Sequence, residues 1–335
     1  MVNLQRPILV ISLDFELHWG RFDKYSLEEH QGYYEGTLQA IPRILELFEK
    51  HQIHATWATV GMLLAKDWEE WTHYSPALLP GYVNSNYSAY HWAINKPNLK
   101  GLFAPELALK VSQTPGQEMA SHSFAHYYAM ESGASKESFQ ADLMASKKIT
   151  KDKLGKDPVS LVFPRNQYDP QIIQSASEVG FKNFRTNPED WFWKNTVEET
   201  LLKKIFRTGD TLYPLGKTSS YESPEVYGDI CKIPASRLLR PYRKGSIFNP
   251  TRIKRIKSEI RAACKQNQVY HLWWHPHNFG HYPMENLKVL EELLEFIDEM
   301  KATSGLESKT MEELAKIMFE TIEKEKSSDQ NISVN

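Results

Sequence analysis

Cysteine, leader-like segments and charge of one sign are all scarce in this chain. Two cysteines, Cys231 and Cys264, in 335 residues cannot supply the disulfide framework of a small secreted domain. No apolar run approaches the roughly 18–20 residues of a membrane-spanning helix. A formal net charge of −2 offers no basic field for nucleic acid. The amino terminus, MVNLQRPILVISLDFE, has one Arg, a short apolar run and no small-residue cleavage site. A secretory leader needs a longer apolar region and such a site, so the expected location is the cytoplasm. What is present is ordinary globular composition, 41% apolar and 24% charged, enough to bury a core. Aromatic residues reach 12%, which suits core packing and the lining of a sugar or apolar-ligand cleft equally well.

Strand and helix signals alternate. Residues 8–14 are a near-continuous apolar run, as in a strand covered on both faces. Leu38, Ile41, Leu45 and Phe48 recur at helical spacing over 37–50. Residues 53–60, Met119–Ser123, Val159–Phe163, Phe181–Thr186 and Val269–Trp274 read as further strands. Ser135 and Gly155 bracket one helix, and Asp169-Pro170 and Gly180 bracket another. A basic helix opens at Asn249-Pro250 and ends near residue 267. An amphipathic helix covers Leu287–Met300, and a Thr310/Glu313 capping box starts a last helix to about Lys324. The reading is one α/β domain over residues 5–325, with a polar, disordered tail at 326–335. Residues 62–117 and 187–248 break the rhythm and read as long, aromatic-rich insertions. Repeated strand–helix units predict a parallel sheet with helices outside, whose working residues sit at the carboxyl ends of the strands.

Five clusters fall at such ends. Asp14 and Glu16 project to the same side of the first strand. Two neighbouring carboxylates repel unless a cation, a proton or an arginine lies between them. His122 and His126, four apart, converge on one helical face or in a tight turn. Two imidazoles plus one carboxylate suit Zn, Co, Fe or Ni and leave positions for water and substrate. Arg165, in Pro164-Arg165-Asn166-Gln167, can bind a carboxylate through two hydrogen bonds and hold it ionised. In Glu189-Asp190-Trp191, Asp190 can raise the pKa of an imidazole such as His275, and a protonated His can donate to a leaving atom. His271, His275 and His277 close the series, with His271 read as a core residue.

The order of these clusters resembles the polysaccharide deacetylase family, over roughly residues 5–320 apart from the two insertions. That family carries a Thr-Phe-Asp-Asp-Gly stretch, a His-Ser-x-x-His pair, an Arg-Pro loop, an Asp-Trp segment and a late Leu-x-His. His122-Ser123-Phe124-Ala125-His126 matches the second closely. Two motifs depart: the first reads Asp14-Phe15-Glu16, and the third, Phe163-Pro164-Arg165-Asn166-Gln167, lacks the Arg-x-Pro-x-Gly order. The resemblance implies a distorted (β/α) barrel of about seven parallel strands. It also implies one divalent ion, zinc first, held by Glu16, His122 and His126. Asp14 becomes the general base, with the exchange of roles between Asp14 and Glu16 left open. Arg165 would orient the base. His275 would be the general acid, tuned by Asp190, with His277 in reserve. Trp191, Asn166 and His277 fall on the substrate side. The implied reaction removes N- or O-acetyl groups from a carbohydrate, an intermediate of surface polysaccharide synthesis. Rivals are hydrolysis of a cyclic C–N bond, sugar binding without turnover, and a glycosidase using Asp14 and Glu16.

Overall fold

The structure is a computed structural model and describes residues 4–188, 190–193, 200–210, 212, 215 and 219–332. Ten strands form one sheet. They are β1 (Ile8–Phe15), β2 (Ala55–Thr59), β3 (Gln117–Ser121), β4 (Ser160–Val162), β5 (Asn183–Thr186), β6 (Glu225–Tyr227), β7 (Ile230–Pro234), β8 (Arg237–Leu238), β9 (Val269–Trp274) and β10 (Glu307–Lys309). The order is β6-β7-β5-β4-β3-β2-β1-β9-β8, with β10 beside the start of β1. All pairs are parallel except β6 with β7. This is the mostly parallel α/β sheet that the alternation predicts. Among the described residues no helix is long and apolar enough to cross a membrane.

The run 187–248 is not only an insertion. Its end carries β7, which pairs with β5, and β8, which pairs with β9. The switch takes one peptide: Ala235 N–H bonds to Thr186 O, and Ser236 N–H to His271 O. The two ends of the parallel run therefore meet in a single segment. Its strands are short, and Lys232 and Pro234 interrupt the apolar pattern, which hid them from a period-two reading. The run 62–117 contains helices Trp68–Tyr74 and Pro105–Gln113. Its Trp71, Tyr82 and Tyr90 are buried in the main core, so much of its aromatic content is packing material.

Helix ends follow the local chemistry. Ser135 caps helix Lys136–Leu154 by accepting from Ser138 N–H, and Gly155 ends it at φ 66°, a left-handed turn that glycine adopts without strain. Asp169 caps helix Pro170–Glu178 through Ile172 N–H. Thr310 and Glu313 form the expected box, but the last helix runs from Met311 to Ile332. Residues 326–332, expected as disordered tail, are helical, and 333–335 lie outside the described residues.

The alternation along β1 explains the site. Ile8 and Val10 join an apolar cluster with Ala58, Val162, Ile233, Met311 and Leu314. Ser12 and Asp14 continue the same side of the strand but meet His271 and Arg185 instead. Strand β9 repeats the change, from Val269 in the same apolar cluster to His271 and then His275. One side of the sheet is thus apolar at the amino ends of its strands and polar at the carboxyl ends.

Candidate active site

Glu16, His122 and His126 converge just beyond β1 and β3. The Oε2 of Glu16 lies 3.1 Å from Nε2 of each histidine. One ligand-type atom from each of the three lies within 4.8 Å of the others, and all three residues are buried. His122 Nδ1 sits 2.8 Å from the carbonyl of Val162. It therefore donates there, which points Nε2 at Glu16. Gly20 leaves the room: a methyl on it would overlap the Glu16 carboxyl.

The two histidines meet across a tight turn, not a helix. Ser123 and His126 have φ of 62° and 51°, the left-handed region that costs a non-glycine residue energy unless its surroundings impose it. Here Asp142 imposes it. Its carboxylate accepts the N–H groups of Phe124 (2.7 Å) and Ala125 (3.1 Å), and Tyr90 donates to it. Burial pushes Asp142 up to about 7, against the hold of those donors.

Asp14 stands beside this triad. Arg185, on β5, grips it with two bonds, Nη1 to Oδ1 at 2.6 Å and Nη2 to Oδ2 at 2.7 Å. Burial alone would raise Asp14; Arg185, with His122 and His275, outweighs it and holds the carboxyl below its ordinary value. Burial likewise opposes ionisation of Glu16, and His275, His122 and His126 overcome it. His275 Nε2 lies 3.6 Å from Asp14 and 3.5 Å from Glu16, and its side chain is 26% exposed against 4% for either carboxylate. His277 is buried and pulled down to about 3 by burial and then by His275, so it is neutral near pH 7. His271 bonds to Ser12 at 2.8 Å and is fully buried, the core role expected of it.

Two expected placements change. Arg165 pairs with Asp23 and with Glu131 and stacks on Tyr128; the guanidinium on Asp14 is that of Arg185. The loop arginine finds acids that are distant in sequence, whereas period-two alternation aims Arg185 inward. The signal for Arg185 was an arginine inside an apolar strand, since a buried cation requires a carboxylate. Among the described residues, the carboxylates within 4.0 Å of His275 are Asp14 and Glu16 rather than Asp190. Asp190 lines a cavity of about 210 Å³ with Asp210, Tyr221 and Arg237, and Glu189 lies outside the described residues. Trp191 is 49% exposed and packs on Phe206. Asn166 accepts from Arg185 at 3.3 Å. It also borders a cavity of about 590 Å³ lined by Tyr168, Asn187, Trp193, Tyr221 and Lys232.

Comparison with known proteins places these features in context. The polysaccharide deacetylase profile matches residues 31–184, and the profile of glycosyl hydrolase family 57 matches residues 117–325. No curated protein matches the chain. Among solved structures, a protein named as a polysaccharide deacetylase from Mycobacterium smegmatis is 16% identical, with TM-score 0.58 over 93% of this chain and 90% of its own. A 4-alpha-glucanotransferase from Thermococcus litoralis is 15% identical, with TM-score 0.53 over 92% of this chain and 40% of its own. An allantoinase is 13% identical, with TM-score 0.52 over 92% of this chain and 88% of its own. At these identities the likeness is one of fold.

Proposed function

The chain belongs to the polysaccharide deacetylase family and, by its longer profile match, to glycosyl hydrolase family 57, and from their two chemistries we propose deacetylation: a divalent-metal hydrolase that removes acetyl groups from a carbohydrate. The observation that carries this is the pairing of a buried Glu16/His122/His126 set with an Asp14 locked by Arg185.

Three protein ligands with an open remainder are the donor set of a catalytic centre, and the tautomer fixed on His122 by Val162 O fits it. Zinc suits the donors, and cobalt, nickel and iron are accommodated as well. Such an ion, when bound, makes water acidic near neutral pH and polarises a carbonyl.

The remaining work falls to side chains. Asp14, kept ionised by Arg185, accepts the proton of the attacking water through the lone pairs that Arg185 leaves. Its carboxyl cannot swing away, because both oxygens are held. His275 reaches toward solvent and donates its proton to the departing amine or alkoxide. Neutral His277 packs beside it and supplies no proton. The cavity beside Asn166 offers aromatic faces and amide groups suited to sugar rings. A free amino sugar (or alcohol) and acetate leave.

A glycosidase needs one carboxyl raised to act as acid. Asp14 and Glu16 are both pushed down, which favours deacetylation. The test is elemental analysis of wild type beside His122→Ala, with acetate release from N- and O-acetylated oligosaccharides and aryl-glycoside cleavage measured in parallel. We expect near-stoichiometric metal in wild type only, and acetate without glycoside cleavage. Absence of metal after reconstitution, or glycoside cleavage without acetate, overturns the proposal.

A further inference from the structure

The arginines on and after β8 are of two kinds. Arg237 is fully matched, by Glu259 and Asp210. Arg240, Arg243 and Arg252 are not. Among the described residues no carboxylate pairs with any of them. Arg240 Nε and Arg252 Nε and Nη1 are buried without a partner. Arg240 precedes Arg243 by three residues, and a side-chain contact ties Arg243 to the start of the helix that carries Arg252. Asn249, at the start of helix Asn249–Gln266, bonds to both the N–H (3.2 Å) and the carbonyl (2.7 Å) of Arg243. Arg252 lies one turn along that helix, whose first turn has no acidic residue. Burial, and then Arg252, Arg243 and Arg237, depress Arg240 to about 10. The groups that act on its charge are thus all cationic.

Enclosed guanidinium nitrogens without a partner, on side chains of one sign, are costly without a counter-charge. Guanidinium forks match phosphoryl oxygens, and several such groups together suit an anion of more than one charge better than a single carboxylate. The location links the cluster to the chemistry. Leu238 pairs with Trp273, and Leu239 N–H bonds to Trp273 O. Arg240 and His275 each lie two residues past that pair, at the same end of adjacent strands. We propose that Arg240, Arg243 and Arg252 form a phosphoryl-binding site that seats the phosphate or diphosphate of an anionic sugar substrate beside His275. The site deepens the deacetylase reading and rests on it for the identity of the acetylated sugar, but not for the anion.

The test is calorimetric titration of the full chain with inorganic pyrophosphate. We expect saturable binding that weakens with salt and falls at least about tenfold in Arg240→Gln/Arg252→Gln, with metal content unchanged. If that double variant does not fold, exposed Arg243→Gln provides the comparison, with a smaller loss. Competition by a uridine-diphosphate N-acetylhexosamine or by a short polyprenyl-diphosphate N-acetylhexosamine distinguishes a nucleotide-linked from a lipid-linked source. No pyrophosphate binding, equal affinity in the variants, or tighter binding of glucuronate or an oligonucleotide overturns the proposal. Acetate release from a neutral oligosaccharide without pyrophosphate binding sinks this site alone. Pyrophosphate binding without metal or acetate release sinks the deacetylase reading alone.

Discussion

Two buried arginine–carboxylate clusters, one on each side of the sheet wall, use the same chemistry for different ends. Glu259 receives three hydrogen-bond donors, Arg237 Nε and Nη2 and the hydroxyl of Tyr270, and an ion pair from Arg255. Asp14 receives only the two of Arg185, and its free side faces the partly exposed ring of His275. Saturating a carboxylate makes a structural tie. Leaving lone pairs free toward a cleft makes a base that stays ionised and remains available.

The largest separation of the two comes from neutralising each acid. Asp14→Asn should lower kcat/KM for acetate release by roughly 10²–10⁴-fold. Glu259→Gln should leave kcat/KM of the folded fraction unchanged. Asp14→Asn should also lose about 3–5 kcal/mol of stability, since it leaves the buried Arg185 guanidinium uncompensated; Glu259→Gln should lose less, since Asp210 still pairs with Arg237. Urea denaturation beside steady-state kinetics reads both quantities. An equal kinetic loss in folded Glu259→Gln would erase the distinction.

A second, smaller effect sharpens it. Arg185→Lys replaces a two-pronged grip with a point charge and should cost about 10–100-fold in kcat/KM. Asp14 sits below its ordinary 3.8 in the folded protein. Its contribution to stability is therefore complete above that value and is lost as acid takes the pH through the lower, folded pKa. Weakening the grip raises the folded pKa. The acid limb of the kcat/KM profile should then move to higher pH, and the acid-dependent part of stability should shrink. An unmoved limb would mean that Arg185 does not control the base.

The smallest change tests saturation. Tyr270→Phe removes one of the three hydrogen-bond donors to Glu259 and should cost about 1 kcal/mol, read by thermal melting, with no change in pH profile or rate. A rate effect would show that the outer cluster is coupled to the site.

Strands with regular period-two or continuous apolar patterns were legible: β9 spans Val269–Trp274 as read, and β1 ends one residue later than expected, at Phe15. The histidine pair was legible because its spacing is local. Arg185 was not, although its strand was, because its partner lies on β1, 171 positions away. A place just past a strand, in the segment likened to the Arg-Pro loop, favoured Arg165, whose acids, Asp23 and Glu131, come from two other loops. The segment carrying β7 and β8 escaped because Lys232 and Pro234 interrupt the apolar pattern of β7, and β8 has only two residues. Asp142 escaped because it looked like one more polar residue on a helix; only the turn it holds reveals its role.

The position of β1 has a consequence for biosynthesis. Its neighbours on one edge and at its start, β9 and β10, are made last: Ile8 aligns with Val269 and Glu307. At about 5–20 residues per second, the strand bearing Asp14 waits roughly 10–50 s for its partner to leave the ribosome. During that interval its carboxylates stay hydrated, and an apolar stretch from Ile8 to Leu13 remains without its full set of neighbours. The order of synthesis, more than the strength of any contact, sets when the site can first assemble.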